Sequence, residues 1–253
     1  MLEPGASLLS TAATNTIANN VIFDGTGTYT FNGANSLTLT GTITLPSALS
    51  IDVVNPGMTA TLAGTIVDGT LAGQPIDITK YGLGTLVLNQ SFTGTVTSSS
   101  GALSFLTDGV AYVGTSDPEI VTVTAAVDLT GPTTINIGRL GTTLLPEFTS
   151  ASNKTVSLPG LVLGGYDLTV NNLNGYGLLV PSNVAVPLGL SSSNPGFSMA
   201  GGATGQTTSF SVVAASTSNA IPGLTISGQI TNATGVTSVA MNKLGVGTMV
   251  LTN

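Results

Sequence analysis

Apolar residues alternate with Thr, Ser or Asn along most of this chain, with a period of two. This period places successive side chains on opposite faces, which is the pattern of a half-buried β-strand. Gly, Pro and Asp-Gly turn signals separate the alternating stretches, as in FDGTG at 23–27 and VNPGM at 54–58. The pattern predicts an all-β chain of short strands and tight turns. The clearest predicted strands lie at 28–45, 85–89, 120–131, 133–138, 166–173, 208–216 and 224–231.

One stretch, SLLSTAATNTIANN at 7–20, is the only candidate for a helical turn or two. Its Thr and Asn residues have low helix propensity and weaken that prediction. Two other stretches, 106–119 and 139–160, are predicted to leave the regular strands as loops. The second of these holds two of the four basic residues, Arg139 and Lys154, which makes it the place to look for a specific contact.

A ten-residue motif occurs twice in the chain. KYGLGTLVLN at 80–89 returns as KLGVGTMVLT at 243–252, an offset of 163 residues (243 − 80). Recurring short-strand units that cannot bury their own apolar face are typical of stacked repeat architectures. We therefore predict a single elongated β-solenoid over 1–253, with a first repeat unit at about 21–105, an irregular middle at 106–225 and a partial second unit at about 226–253.

The glycines of this motif suggest how its strand begins. A G-x-G pair lets the backbone turn tightly where a Cβ would collide, and a strand then follows. The alternation predicts that Leu86 and Leu88 point into the interior while Thr85 and Val87 point outwards. Asn and Thr residues on the outer faces are expected to bond to like residues on neighbouring strands, as side-chain ladders do.

Charge is scarce, and this narrows the choice of partner. Charged residues make up 6% of the chain and the net charge is −7. The basic residues, Lys80, Arg139, Lys154 and Lys243, form no cluster in the sequence, so nucleic acid is not an expected partner. The longest apolar stretch, 178–190, is short and interrupted by prolines, so no transmembrane segment is predicted.

The chain lacks the residues that most catalytic sites need. It contains no His and no Cys, which excludes His-dependent nucleophilic sites, thiolate metal sites and disulfides. The start at Met1 shows no basic and apolar leader, so no signal peptide is predicted within it. We therefore predict a non-enzymatic protein with no catalytic, cofactor-binding or metal-binding residues and no cofactor.

Several side chains were weighed as functional candidates. Asp117 and Glu119 form the only close acidic pair, but their place in a turn favours solvated loop charge over acid/base catalysis. The aspartates of the Asp-Gly pairs are interpreted as turn residues and not as calcium ligands, because no calcium-binding nonapeptide recurs. The tyrosines are a weak candidate platform for sugar rings. The two motif lysines are interpreted as charges at the edge of a rung that discourage edge association or form a salt bridge nearby, in preference to ligand binding. These residues are Asp24, Asp68, Asp108, Tyr81, Tyr112, Tyr166, Tyr176, Lys80 and Lys243.

The stretch from 78 to 105 resembles the autotransporter-associated β-strand repeat. The matching positions are Lys80, Gly82, Gly84, Thr85, Leu86, Leu88, Phe92-Thr93-Gly94, Thr95-Val96-Thr97 and Gly101-Ala102-Leu103. The second copy of the motif matches from Lys243 to Leu251, and 106–225 shows no match by motif. The resemblance implies a right-handed parallel β-helix of the kind found in passenger regions of large secreted bacterial proteins. This family shares no active site, so no catalytic residue carries over.

Three classes of function follow from these patterns. The first is a structural or adhesive β-helical protein, outside the cell or displayed on the bacterial outer membrane. The second is a polysaccharide-binding or polysaccharide-degrading β-helix, and the third is a phage fibre segment. Scattered acidic residues and low charge favour the first class. A glycan or host surface is its hypothesised ligand, and a second copy of the chain, joined head to tail, is its hypothesised homo-oligomeric partner.

Overall fold

A computed structural model describes residues 1–46, 48–68, 75–88, 92–107, 120–139, 154–181, 197–199, 207–214, 221–228, 230–232 and 240–252. The described residues form strands and turns, and none of them lies in a helix. The all-β prediction is therefore confirmed, and each predicted strand region contains at least one strand. The strands are β1 Ser7–Ser10, β2 Thr14–Ile17, β3 Val21–Ile22, β4 Thr28–Gly33, β5 Ser36–Leu39, β6 Ile43–Leu45, β7 Ala48–Val53, β8 Thr59–Leu62, β9 Ile66–Asp68, β10 Asp77–Tyr81, β11 Thr85–Leu88, β12 Gly94–Ser98, β13 Ala102–Leu106, β14 Ile120–Thr122, β15 Ala125–Leu129, β16 Thr133–Gly138, β17 Thr155–Ser157, β18 Leu161–Val162, β19 Leu168–Asn172, β20 Gly177–Val180, β21 Phe197–Met199, β22 Thr207–Ala214, β23 Leu224–Ile226, β24 Ile230–Asn232, β25 Ala240–Leu244 and β26 Met249–Leu251.

The chain divides into two compact units. Among the described residues, the first comprises those of Met1–Ser104 and Thr124–Thr133, and the second comprises those of Phe105–Val123, Thr134–Ala185 and Ser192–Asn253. In the first unit neighbouring strands run β1-β4-β7-β10-β12-β15, β2-β5-β8-β11-β13 and β3-β6-β9. Strands that neighbour each other in these rows are two or three elements apart in the chain. Each row is thus built from successive passes of the chain.

Pairing in the first unit is parallel and in register, so side chains stack in columns. Tyr29 pairs with Ile51, Ile51 with Lys80, Lys80 with Ser98 and Ser98 with Leu129. All five residues of this column are buried. One inward position in each strand thus contributes to a continuous core, as the period-two alternation requires.

The second unit repeats this organisation. Its rows of neighbouring strands run β18-β21-β24, β16-β19-β22-β25 and β14-β17-β20-β23-β26. Pairing is again parallel, and Leu168, Phe210 and Lys243 form one column. Leu168 and Phe210 are buried, whereas Lys243 is exposed. The core column of this row therefore ends in an uncovered lysine.

Polar side chains join neighbouring passes of the chain, as expected. The Asn55 side-chain amide donates to Asn32 Oδ1 over 3.1 Å, and the Asn171 amide donates to Asn136 Oδ1 over the same distance. Each contact joins two asparagines of neighbouring passes, as one step of a side-chain ladder would. They also satisfy polar groups without any charged residue.

Two predictions at the level of single elements need correction. The stretch 7–20 contains strands β1 and β2 and no helical turn, because parallel pairing with β4 and β5 outweighs local propensity. Leu86 and Leu88 are buried as predicted, but Val87 on the opposite face is only 3% exposed. That outer position is covered, so the simple inside-outside alternation is wrong there.

Candidate functional site

The first copy of the repeated motif holds a lysine at the end of strand β10. Lys80 follows Ile78 at the inward-facing position of the alternation, and both residues are fully buried. The chain then turns through Gly82, whose φ of 79° lies in the left-handed region that favours glycine. A Cβ at Gly82 would also overlap the Val53 carbonyl of the preceding pass. The absence of a Cβ at Gly82 thus lets this turn lie against the end of strand β7.

Three backbone carbonyl oxygens surround the Lys80 ammonium. Lys80 Nζ donates to the carbonyls of Gly82 and Ser100 at 2.8 Å each and to that of Tyr81 at 3.2 Å. An ammonium has three donors and no acceptor, so three carbonyls match it completely. Two of these acceptors lie in the turn that follows Lys80, and the third lies in the turn after β12. We call this arrangement the carbonyl seat.

Burial changes the acidity of this lysine. Removal from water lowers the pKa of Lys80 to about 8, and the nearby Asp52 carboxylate opposes that shift. A pKa of about 8 still leaves the ammonium largely protonated at neutral pH. Protonation supplies the three donors that the seat uses, so the seat holds a buried positive charge under ordinary conditions.

The next pass of the chain closes over the seat through another glycine. Gly101 has a φ of 71°, and a Cβ there would lie 2.5 Å from the Gly84 carbonyl oxygen and 2.6 Å from that of Gly82. Real Cβ atoms essentially never come so close, so any other residue would push the two turns apart. Ser100 Oγ adds a hydrogen bond of 3.0 Å to the Gly82 carbonyl. The carbonyl seat therefore connects two successive passes of the chain.

The second copy of the motif forms only part of such a seat. Lys243 Nζ donates to the carbonyls of Leu244 at 2.7 Å and Gly245 at 2.9 Å, which correspond to Tyr81 and Gly82. Gly245 has a φ of 74°, so the turn has the same form. Strand β25 ends its row of paired strands, however, and Lys243 is exposed. Within the described residues, nothing plays the part of Ser100.

The two lysines therefore depart from what was expected of them. Both were interpreted as rung-edge charges that discourage association or form a salt bridge nearby. For Lys80 a place at an open edge is wrong, because its side chain is buried and its ammonium bonds to three carbonyls. Lys243 does lie exposed on an edge strand, but its ammonium is tied to its own turn. The sequence carried one signal for burial, since Lys80 continues the inward series of the buried residues Ile76 and Ile78.

A serine that follows the seat was missed by the sequence interpretation. Ser98 pairs with Lys80, is fully buried, and accepts a hydrogen bond of 3.1 Å from Thr133 Oγ1. Its own hydroxyl lies a long 3.5 Å from the Ser100 carbonyl. A similar arrangement occurs at the end of β1, where Ser10 is buried and its hydroxyl lies 3.5 Å from the Ala12 carbonyl. In both places the serine ends a strand and three turn residues follow it.

The acidic candidates do not form a centre within the described residues. Asp24 is exposed after β3, and its carbonyl accepts a hydrogen bond of 3.0 Å from the Tyr29 hydroxyl. Asp68 ends strand β9. In the described part of the chain, no group of three or more acidic residues is placed to hold a metal ion. Asp108, Asp117 and Glu119 lie outside the described residues.

The tyrosines fall into different environments. Tyr81 and Tyr166 are 43% and 39% exposed. Tyr176 is buried, and its hydroxyl donates to the Thr107 carbonyl over 2.9 Å, so its ring is not available to stack on a sugar. Tyr112 lies outside the described residues.

Arg139 and Lys154 lie within 139–160, which was predicted to leave the regular strands. Thr155–Ser157 form strand β17, so that prediction is wrong for this part of the stretch. Arg139 is 8% exposed and Lys154 is 3% exposed, and both have interaction partners. Positions 140–153 between them lie outside the described residues. Both cations are therefore buried groups, and neither is a solvated loop charge.

No helix among the described residues has the length and apolar character needed to cross a membrane. Searches of protein-family models, of curated proteins and of solved structures gave no match for this chain.

Proposed function

We propose that this chain is a non-enzymatic structural or adhesive protein of a bacterial surface, built as a right-handed parallel β-helix. The single observation that carries the proposal is the in-register parallel stacking of strands, with inward columns such as Tyr29, Ile51 and Lys80. Each pass of the chain covers the one before it, which is how repeat architectures build long, stiff bodies. A stiff body with little charge is suited to hold a binding surface away from a cell.

The chemistry of the described residues supports a scaffold more than an enzyme. Its most unusual polar group, the Lys80 ammonium, is enclosed by backbone carbonyls and has no exposed surface. A catalytic group must touch its substrate, and a buried group held by three acceptors is suited to joining strands. The resemblance of 78–105 to the autotransporter-associated repeat agrees with this proposal and suggests display outside the cell.

Surface labelling tests the proposed location directly. Antibodies raised against the purified chain should label intact cells of the source organism, and brief protease treatment of those cells should remove the label. Labelling that needs permeabilised cells would contradict the proposed location. Cryo-electron microscopy of the purified chain tests the fold separately, since a left-handed or open arrangement of the sheets would contradict a right-handed β-helix.

A second assay separates adhesion from polysaccharide degradation. The purified chain is applied to arrays of glycans and extracellular-matrix proteins, and bacterial polysaccharides are incubated with it and tested for new reducing ends or unsaturated products. Binding without product formation is expected. Product formation that survives further purification would replace this proposal with the enzymatic alternative.

A further inference from the structure

The outward face of the first unit carries an exposed tyrosine beside the carbonyl seat. Tyr81 ends strand β10 and is 43% exposed, although β10 has a paired neighbour on each side, β7 and β12. Its backbone is held from inside, because the Lys80 ammonium bonds to the Tyr81 carbonyl at 3.2 Å and to the Gly82 carbonyl at 2.8 Å. The ring is therefore presented on a fixed turn, and little backbone freedom is lost when a ligand binds to it.

A carboxylate lies next to this ring. The pairing of β7 with β10 sets Asp52 directly opposite Tyr81, at the roughly 4.8 Å spacing of neighbouring strands. The Asp52 side chain also lies against the seat turn, because a Cβ at Gly82 would overlap Asp52 Oδ1. An ionised carboxylate only accepts hydrogen bonds. The turn thus offers an aromatic ring and a hydrogen-bond acceptor side by side.

Hydroxyl groups extend this surface across four strands. Outward positions of β4, β7, β10 and β12 pair in register, so their side chains form two columns on one face. Three steps of about 4.8 Å make this surface about 14 Å long. Its members are all partly or largely exposed. We call the surface the tyrosine platform, and it comprises Ser50, Thr79 and Thr97 in one column and Thr30, Asp52 and Tyr81 in the other.

The charges around the platform disfavour an anionic ligand. Lys80 is the only basic residue among residues 1–138, and its ammonium is enclosed by the carbonyl seat. This stretch therefore offers no exposed side-chain cation to bind a phosphate, a sulfate or a carboxylate. Asp52 lies within the platform and Asp128 pairs with Thr97 at its far end, so both acidic side chains would repel such a group. The surface suits a neutral ligand that is rich in hydroxyls.

We propose that the tyrosine platform binds a neutral polysaccharide, with one sugar ring stacked on Tyr81. A pyranose ring has a face of C–H groups, which packs on an aromatic ring, and a rim of hydroxyls, which bond to carboxylate and hydroxyl side chains. Asp52 accepts hydrogen bonds from the stacked sugar, and the Thr79 and Thr97 hydroxyls bond to the sugars beside it. Hydroxyl and carboxylate groups outnumber apolar ones on the platform, which is the reverse of the apolar core of a protein interface.

This inference rests on the adhesive role in the proposed function and names the class of ligand for it. The 253-residue chain is run in native gels that contain dextran, galactomannan or xyloglucan as neutral probes, or polygalacturonate or heparin as anionic probes. Retardation by at least one neutral probe and by neither anionic probe is expected. Retardation by no neutral probe would overturn the proposal. Surface labelling is read separately, so a chain that labels intact cells but binds no neutral probe loses this inference and keeps the proposed location.

Substitutions of tyrosine locate the binding surface. Tyr81→Ala removes the ring and is expected to weaken binding of the retarding polysaccharide at least about tenfold, as loss of a central aromatic contact does. Tyr81→Phe keeps the ring and should bind nearly as well as the unaltered chain. Tyr166→Ala is the matched control, because Tyr166 is 39% exposed and lies in the second unit. Unaltered binding by Tyr81→Ala, or an equal loss with Tyr166→Ala, would overturn the proposal.

A further substitution tests the carboxylate. Asp52→Asn keeps the shape of the side chain but replaces charge-assisted hydrogen bonds by weaker ones, so binding is expected to fall about three- to tenfold. Asp24→Asn, at an exposed position outside the platform, is the control and should bind as the unaltered chain does. Circular dichroism and thermal unfolding verify that each variant is folded. Equal binding by the Asp52→Asn and Asp24→Asn chains would overturn the role given to Asp52.

Discussion

Replacing Lys80 by methionine is expected to destabilise the protein substantially, because the change removes the ammonium and keeps the length of the side chain. The carbonyls of Gly82 and Ser100 then lose hydrogen bonds of 2.8 Å in a site without access to water. Each buried acceptor left without a partner costs about 1–3 kcal/mol. The Gly82 carbonyl keeps its bond from Ser100 Oγ, which reduces the loss. We therefore expect the free energy of unfolding to fall by about 2–4 kcal/mol.

The second motif supplies the matched control for this experiment. Lys243→Met removes the same group from the same kind of turn, but Lys243 is exposed and water replaces the lost bonds. Its effect on the free energy of unfolding is expected to stay within about 0.5 kcal/mol. Urea denaturation followed by circular dichroism, at low protein concentration to avoid association, measures both variants. Equal effects of the two substitutions would refute the role assigned to the carbonyl seat.

Three further outcomes are expected. Because the folded-state pKa of Lys80 is about 8 against an ordinary value of 10.5, the folded protein binds fewer protons than the unfolded chain between these values. The free energy of unfolding should therefore rise from pH 8 to 10.5, and urea titrations of the Lys80→Met variant should lack that part of the rise. Gly82→Ala should cost more than about 2 kcal/mol in thermal unfolding, because φ is 79° and the Cβ meets backbone, whereas Gly57→Ala, with nothing within 4 Å, should be nearly neutral; similar melting temperatures would contradict this. Tyr176→Phe should cost about 1 kcal/mol through loss of the bond to the Thr107 carbonyl, and the exposed Tyr166→Phe should cost nothing measurable; equal urea midpoints would argue against that bond.

Strand positions were predictable where the alternation is strong. The stretches at 133–138 and 166–173 alternate over most of their length, and the structure places β16 and β19 there. Strands β1 and β2 were not predicted, because Thr and Asn residues conceal their alternation and their stability comes from pairing with β4 and β5. Such pairing joins residues 22 or 23 positions apart, as Thr14 pairs with Ser36 (36 − 14) and Ser7 with Thr30 (30 − 7), and a local pattern does not record it.

The sequence predicts where the candidate site lies but not how its residues are arranged. The repeated K-x-G-x-G pattern marked both lysines, and the inward parity of Lys80 was visible beside Ile78. What the sequence does not show is that turn carbonyls converge on the ammonium. That convergence depends on left-handed φ values at Gly82 and Gly101 and on the arrival of Ser100 from the next pass. Charged side chains are usually exposed, but here the backbone carbonyls allow a charged side chain to be buried.

The short sequence separation of the Lys80 contact also bears on how the chain folds. The bond to the Ser100 carbonyl joins residues only 20 positions apart, although it links two separate strands of a parallel sheet. Closing so short a loop is fast, and parallel sheets are slow to form mainly when their partners are distant in the chain. The pass from β10 to β12 is thus able to close as soon as about 20 more residues are available, whereas pairing of Leu168 with Phe210 needs 42 (210 − 168). Lys80 therefore stabilises this pass through a contact that needs only a short loop to close.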